Sequence, residues 1–163
     1  MTILGIDPGT RRVGYGAITY DKKTFTLIDA GLLPVTSSNN IEALAEIRGE
    51  LKKLIQKIRP DALAIEKLYF SKNQKTALAV SEARGVILVT AHEEGLSIQE
   101  FNPNDVKLGV TGYGKADKKA VLKMVRLTLK EPLLQIIDDA SDALALAIMG
   151  AQTRGLNYTQ REG

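Results

Sequence analysis

The sequence contains no cysteine and no tryptophan, and histidine occurs once, at position 92. Without cysteine there is no disulfide, thiolate nucleophile, zinc ribbon or iron-sulfur cluster. A Ser-His-Asp triad or a histidine-rich metal site would have to rest on His92, which lies mid-pattern in an apparent helix, where a lone histidine usually serves packing or the surface. Long apolar runs are missing as well: no stretch reaches the ~18 consecutive apolar residues of a membrane span. At the N-terminus Asp7, Pro8, Arg11 and Arg12 interrupt the place where the apolar core of a secretory leader would sit. A cytoplasmic protein without membrane contact is expected. Charge of one sign is not in large excess either, since 22 basic against 19 acidic residues leave a net +3, too mild to identify a nucleic-acid binder.

What is present fits one α/β domain. The 163 residues, 44% hydrophobic and 25% charged, suffice for a substantial core. Three short strands are predicted at Thr2 to Asp7, Val13 to Tyr20 and Thr24 to Pro34, an antiparallel meander. Apolar residues from Leu44 to Ile58 recur at helical steps, with Asn39 and Glu42 as a capping pair and Pro60 as the stop. The run Ala62 to Ile65 ends at Glu66, and a second helix follows from Ser71 to about Glu94, closed by Gly95. Then come a strand from Ser97 to Phe101, a short helical piece, a Gly-rich loop at Val110 to Lys115, and helices from Asp117 to about Lys130 and Asp138 to Gln152. This order predicts a mixed five-stranded sheet, meander plus parallel strands, flanked by helices. The domain is expected over residues 1–152, with 153–163 a frayed tail.

The acids carry the functional signal. Asp7 ends the apolar strand Ile3-Leu4-Gly5-Ile6, and Glu66 ends Ala62-Leu63-Ala64-Ile65 in the same way. A carboxylate there is costly unless it faces a cleft or a cation, although Asp-Pro-Gly also makes good turns and Asp7 could merely cap one. Neighbouring strands would bring both acids to the carboxyl edge of the sheet, where open α/β folds bind ligands. Asp138, Asp139 and Asp142 open the last helix. Dipole matching explains one or two of them, but Asp142 lies three residues after Asp139 and four after Asp138, so either can share its face. Carboxylates gathered without histidine repel one another unless a hard cation sits between them, so Mg²⁺ or Mn²⁺ is the expected ligand. Two such ions about 4 Å apart can activate water against a phosphodiester.

Gly5-Ile6-Asp7-Pro8-Gly9-Thr10, Ala64-Ile65-Glu66, Ala83-Arg84-Gly85 and Asp139-Ala140-Ser141-Asp142-Ala143-Leu144-Ala145 resemble, in order, the motifs of RuvC-type Holliday junction resolvases over residues 1 to about 152. The resemblance implies an RNase H-like fold and a homodimer that nicks two strands of like polarity at a four-way DNA junction. It implies Mg²⁺, two ions per site with Mn²⁺ able to substitute, held by Asp7, Glu66, Asp139 and Asp142. The family spacing favours the three-residue interval from Asp139 to Asp142 over the four-residue one from Asp138, and leaves open whether Asp138 contributes beside Asp139. Some relatives carry histidine at the position of Asp139; aspartate makes the site more purely oxygen-ligated. A RuvA-RuvB-like branch-migration complex is the implied partner.

Between Asn102 and Lys130 seven basic residues face two acidic ones, a local +5 that exceeds the charge of the whole chain. Such a segment suits phosphate contacts, which set affinity rather than sequence choice, though solvated helix faces account for part of it. Lys107 and Lys118 match the resemblance, Lys118 also as a catalytic residue beside the metal site; Lys115 and Lys119 are further candidates. Tyr69 stands three residues after Glu66, where the family usually carries an aromatic, and with Phe70 could stack on unpaired bases; Phe70 could equally be core. The helix from Ser71 carries Ala77, Leu78, Val80, Ala83, Val86, Ile87, Val89 and Ala91, more apolar surface than one packing stripe needs, and is expected to supply part of a dimer interface. Three rival readings stand beside this one: an RNase H-like nuclease acting on RNA or other branched DNA, an actin-like ATP-binding domain, and a non-catalytic scaffold.

Overall fold

The computed structural model describes residues 1–21, 23–68 and 74–159, with backbone alone at 74–76 and 154–159. Tyr69 and Phe70 lie outside the described residues. The sheet has five strands, β1 (Thr2–Asp7), β2 (Gly14–Asp21), β3 (Thr24–Leu32), β4 (Ala62–Glu66) and β5 (Ser97–Phe101), in the order β3-β2-β1-β4-β5. The meander β1-β2-β3 is antiparallel, and β1 pairs with β4, and β4 with β5, in parallel. Both parallel steps come from crossovers through a helix, as strand-helix-strand order requires.

Five helices cover the sheet: α1 (Asn40–Ile58), α2 (Gln74–Glu93), α3 (Pro103–Thr111), α4 (Lys118–Leu129) and α5 (Asp138–Thr159). Strand alternation divides the core. Ile3, Ile18, Ala62 and Ala64 face α3, α4 and α5, whereas Leu4, Ile6, Val13, Ala17, Leu63 and Ile65 face α1 and α2. Asp7 is in phase with Ile3 and Gly5, and Glu66 with Ala62 and Ala64, so both acids emerge on the α5 side.

Most predicted boundaries fall within a residue or two, and the departures have local causes. Asn39 caps α1 by accepting from the Glu42 N–H at 3.1 Å, but the reciprocal half of the capping box is not made: the Glu42 carboxylate accepts from Ser37 Oγ at 2.7 Å. α1 ends at Ile58 because Arg59, held in the left-handed region at φ 53°, precedes Pro60. β3 stops at Leu32, short of Pro34. The largest departure is at the C-terminus, where α5 continues past Gln152 to Thr159. No proline interrupts it, and one added residue costs little once a helix is seeded. α2 turns Ala83, Ile87 and Ala91 into the core while Leu78 and Val89 stay 61% and 56% exposed.

Candidate active site

Two strand ends and one helix start meet at one edge of the sheet. The parallel register pairs Ile6 with Ile65, which sets Asp7 and Glu66 at the ends of adjacent strands. The N-terminal turns of α5 cross above them, held so close that a Cβ on Gly14 would overlap the Asp139 carbonyl and one on Gly5 the Ala143 carbonyl. Asp142, half-buried, therefore faces the two strand acids. α3 and α4 form the opposite wall. Glu66, Pro103, Val106, Lys107, Lys118, Val121, Asp142, Ala145 and Leu146 line a cleft of about 200 Å³.

The electrostatics follow from this crowding. Asp7 is pushed up to about 7, first by burial and then by the charges of Asp142, Glu66 and Asp139, with Lys118 opposing. Burial and Asp142 also raise Glu66, against the pull of Lys107. Burial raises Asp142 despite Lys118, whose ammonium lies 3.4 Å from Asp142 Oδ2 and 3.6 Å from Asp138 Oδ2. Lys118 is in turn held above its ordinary range, chiefly by Asp142.

The predicted acids are thus brought together, with a distinction among the aspartates of α5. Asp138 is exposed and shares Lys118 with Asp142. Asp139 is turned to Arg12, whose Nε and Nη2 both donate to its Oδ2, at 3.1 and 2.6 Å. Of the lysines, Lys107 and Lys118 line the cleft, while Lys115 and Lys119 are exposed on the turn and first residues beside it.

Two residues escaped sequence reasoning. Arg12 is one, because its partner lies 127 positions away. The other is Arg84, whose motif was recognised without a role. From α2 its Nε donates to the Glu66 carbonyl at 3.0 Å while Nη2 pairs with Glu100, which fixes the end of β4.

The donor set fits a hard divalent cation: every candidate ligand is a carboxylate, and three of them are raised by burial and mutual repulsion that a cation would relieve. As the side chains stand, no three acids or histidines among the described residues are in ligating arrangement. Arg12 and Lys118 hold Asp139 and Asp142, and both would have to yield.

A mixed sheet with this strand order, acids at the ends of β1 and β4 and on the helix packed across them, defines the RNase H-like class. Within that class, a family model described as "Crossover junction endodeoxyribonuclease RuvC" matches residues 3–150. Curated relatives of that name include the protein of Alkaliphilus oremlandii, 43% identical over 98% of this chain and 97% of its own. The protein of Fusobacterium nucleatum is 40% identical over 95% of this chain and 82% of its own. Thermus thermophilus RuvC in complex with a Holliday junction substrate superposes with a TM-score of 0.89 at 28% identity, covering 96% of each chain. The yeast mitochondrial resolvase Ydc2, at 12% identity and a TM-score of 0.64, shares the fold. The chain belongs to the crossover junction endodeoxyribonuclease RuvC family. The actin-like reading falls with that result.

Proposed function

We propose that this protein resolves four-way DNA junctions by nicking two strands of like polarity, symmetrically, in recombination and repair. The observation that carries the reading is the meeting of Asp7 and Glu66 at adjacent strand ends with Asp142 of α5, whose charges raise Asp7, beside a cleft lined by Glu66, Asp142, Lys107 and Lys118. Those three acids and Asp139 would hold Mg²⁺, two ions per site, with Mn²⁺ able to replace it. When bound, the metal supplies a water activated at neutral pH and charge neutralisation at the leaving oxygen. Asp7 and Glu66 are fixed by the strands that end on them, whereas Asp139 and Asp142 would have to leave Arg12 and Lys118 to join them. Lys118 serves the phosphate, being long, half-exposed and held protonated by Asp142 and Asp138. Lys107 on the facing wall, with Lys115 and Lys119 outside it, extends the phosphate track. Tyr69, with Phe70 beside it, would meet bases at the crossover.

A homodimer would match the symmetry of the junction. Its interface would draw on the outward stripe of α2, where Leu78, Gly85 and Val89 share a face and a Cβ at Gly85 would meet open space. No described helix is long and apolar enough to cross a membrane. The remaining parts of the reading are a cytoplasmic location and a RuvA-RuvB-like branch-migration partner.

The test is to incubate the protein with a synthetic four-way junction, a matched duplex and an RNA hybrid, with Mg²⁺ or EDTA, and to map cuts on every strand. Paired symmetric nicks confined to the junction and lost in EDTA are expected. Equal cutting of duplex or RNA would transfer the site to a nuclease of different substrate.

Arg12 supplies a separate check on the ligand set. Arg12→Ala removes a competitor for Asp139 and a unit positive charge beside the acids, so Mn²⁺ should bind about three- to tenfold more tightly in low-salt calorimetry. Weaker binding would mean that the guanidinium orients Asp139 for the ion instead.

A further inference from the structure

The turn between α3 and α4 joins the two elements that wall the cleft, and at its tip stands Tyr113, 62% exposed. Its backbone is tethered on both sides. Gly112, at φ 78°, ends α3 with its N–H on the Leu108 carbonyl at 2.8 Å. Thr111 Oγ1 donates to the Lys107 carbonyl at 2.7 Å and accepts from the Tyr113 N–H at 3.1 Å. The Tyr113 carbonyl accepts from Ala116 N–H at 3.0 Å, and Ala116 is buried in the core beneath. The result is a large ring presented on a fixed backbone.

The surroundings say what such a ring meets. Lys107 on α3 and Lys118 at the start of α4 both line the cleft, and Lys115 follows Tyr113 by two residues in the turn between those helices, so the ring stands on a basic segment that joins the two cleft lysines. Leu108, 54% exposed, adds apolar surface on α3. Aromatic faces between phosphate-seeking cations are the standard means of holding nucleotides by stacking, and a tyrosine ring does so at low conformational cost because few of its torsions are free.

We propose that Tyr113 is a substrate-contacting residue that lays its ring on a base or sugar face of the junction, beside the lysines of the cleft wall. This rests on the junction reading above. The contact is apolar, so it adds affinity without displacing counterions, unlike the lysines around it.

The experiment compares wild type, Tyr113→Ala, Tyr113→Phe and Lys115→Ala by fluorescence anisotropy on a junction and on a linear duplex, in EDTA, across a salt series. Tyr113→Ala should weaken junction binding about five- to fiftyfold, with an unchanged slope of log affinity against log salt. Tyr113→Phe should stay within about twofold of wild type, and Lys115→Ala should lower the slope by about one. Loss confined to the junction assigns the ring to a base opened at the crossover; equal loss on duplex assigns it to a sugar face. The proposal is overturned if Tyr113→Ala binds as wild type does, or if Tyr113→Phe is as weak as Tyr113→Ala. Wild-type protein that prefers no junction over duplex would instead overturn the functional reading itself, and the ring's role with it. Thermal melting of Tyr113→Ala at the wild-type temperature verifies the fold.

Discussion

Replacing Asp7 by asparagine is expected to abolish junction cleavage, by at least about a thousandfold, while junction binding stays close to wild type. The amide keeps the shape of the side chain at the end of β1 but cannot carry the charge that a hard cation requires, and the several kcal/mol of charge stabilisation the ion provides would be lost. On the proposed reading, binding rests on Lys107, Lys118 and the basic turn, none of which is replaced. Cleavage that survived the substitution would leave Asp7 without a catalytic role.

The same substitution has a second signature, in stability. Asp7 titrates at about 7 in the fold against 3.8 unfolded, because burial and three neighbouring acids oppose its charge. The folded state therefore holds a proton that the unfolded chain has released. Stability is greatest below the unfolded value and declines as pH rises from about 4 through about 7. Asparagine removes that decline. In EDTA the melting temperature of Asp7→Asn should match wild type near pH 4 and exceed it by several degrees at pH 8. Mg²⁺ should shrink or reverse the gap, since it stabilises wild type through a site the variant has damaged. A gap that is constant with pH would mean that burial and the neighbouring acids do not hold the Asp7 carboxyl above its ordinary range.

Much of this site could be read from the chain because strand periodicity is a short-range property. Asp7 and Glu66 each close an apolar run, and counting by twos puts them on the face that carries Ile3 and Ala62. Their adjacency required one further inference, the direction of the crossover, which chirality supplies. Spacing could not resolve the aspartates of α5. Asp138 and Asp139 are equally compatible with Asp142, and what separates them is Arg12, which comes from the far end of the sequence to Asp139. Arg84 shows the same limit, since its hold on the Glu66 carbonyl depends on how α2 lies against β4. In α2 the sequence has more apolar residues than one stripe can use, but only packing against α1 decides that Ala83 and Ile87 go inward and Leu78 and Val89 outward.

Gly5→Ala is expected to be among the most damaging single-methyl changes in the described part of the protein. Gly5 lies in the middle of β1 beneath α5, and a Cβ there would overlap the Ala143 carbonyl oxygen and come within 2.8 Å of the Ala147 nitrogen. Both obstacles are backbone, so no rotamer change relieves them and the helix itself must lift. Overpacking of this kind costs about 3 kcal/mol or more, on the order of a 10 °C fall in melting temperature for a chain of this size. Activity should fall further than stability alone explains. Asp142 precedes Ala143, so lifting α5 draws its carboxylate away from Asp7 and Glu66, and a displacement of about 1 Å can cost a hundredfold in rate. Gly49→Ala is the matched control, because Gly49 lies in α1 and a Cβ added there would have nothing within 4 Å; there alanine should be neutral or stabilise by up to about 1 kcal/mol. If both variants melt and cut alike, the close approach of β1 and α5 does not set the position of the acids. If only Gly5→Ala fails, and fails in cleavage at temperatures where it remains folded, then a glycine with no chemistry of its own is what brings Asp142 within reach of Asp7.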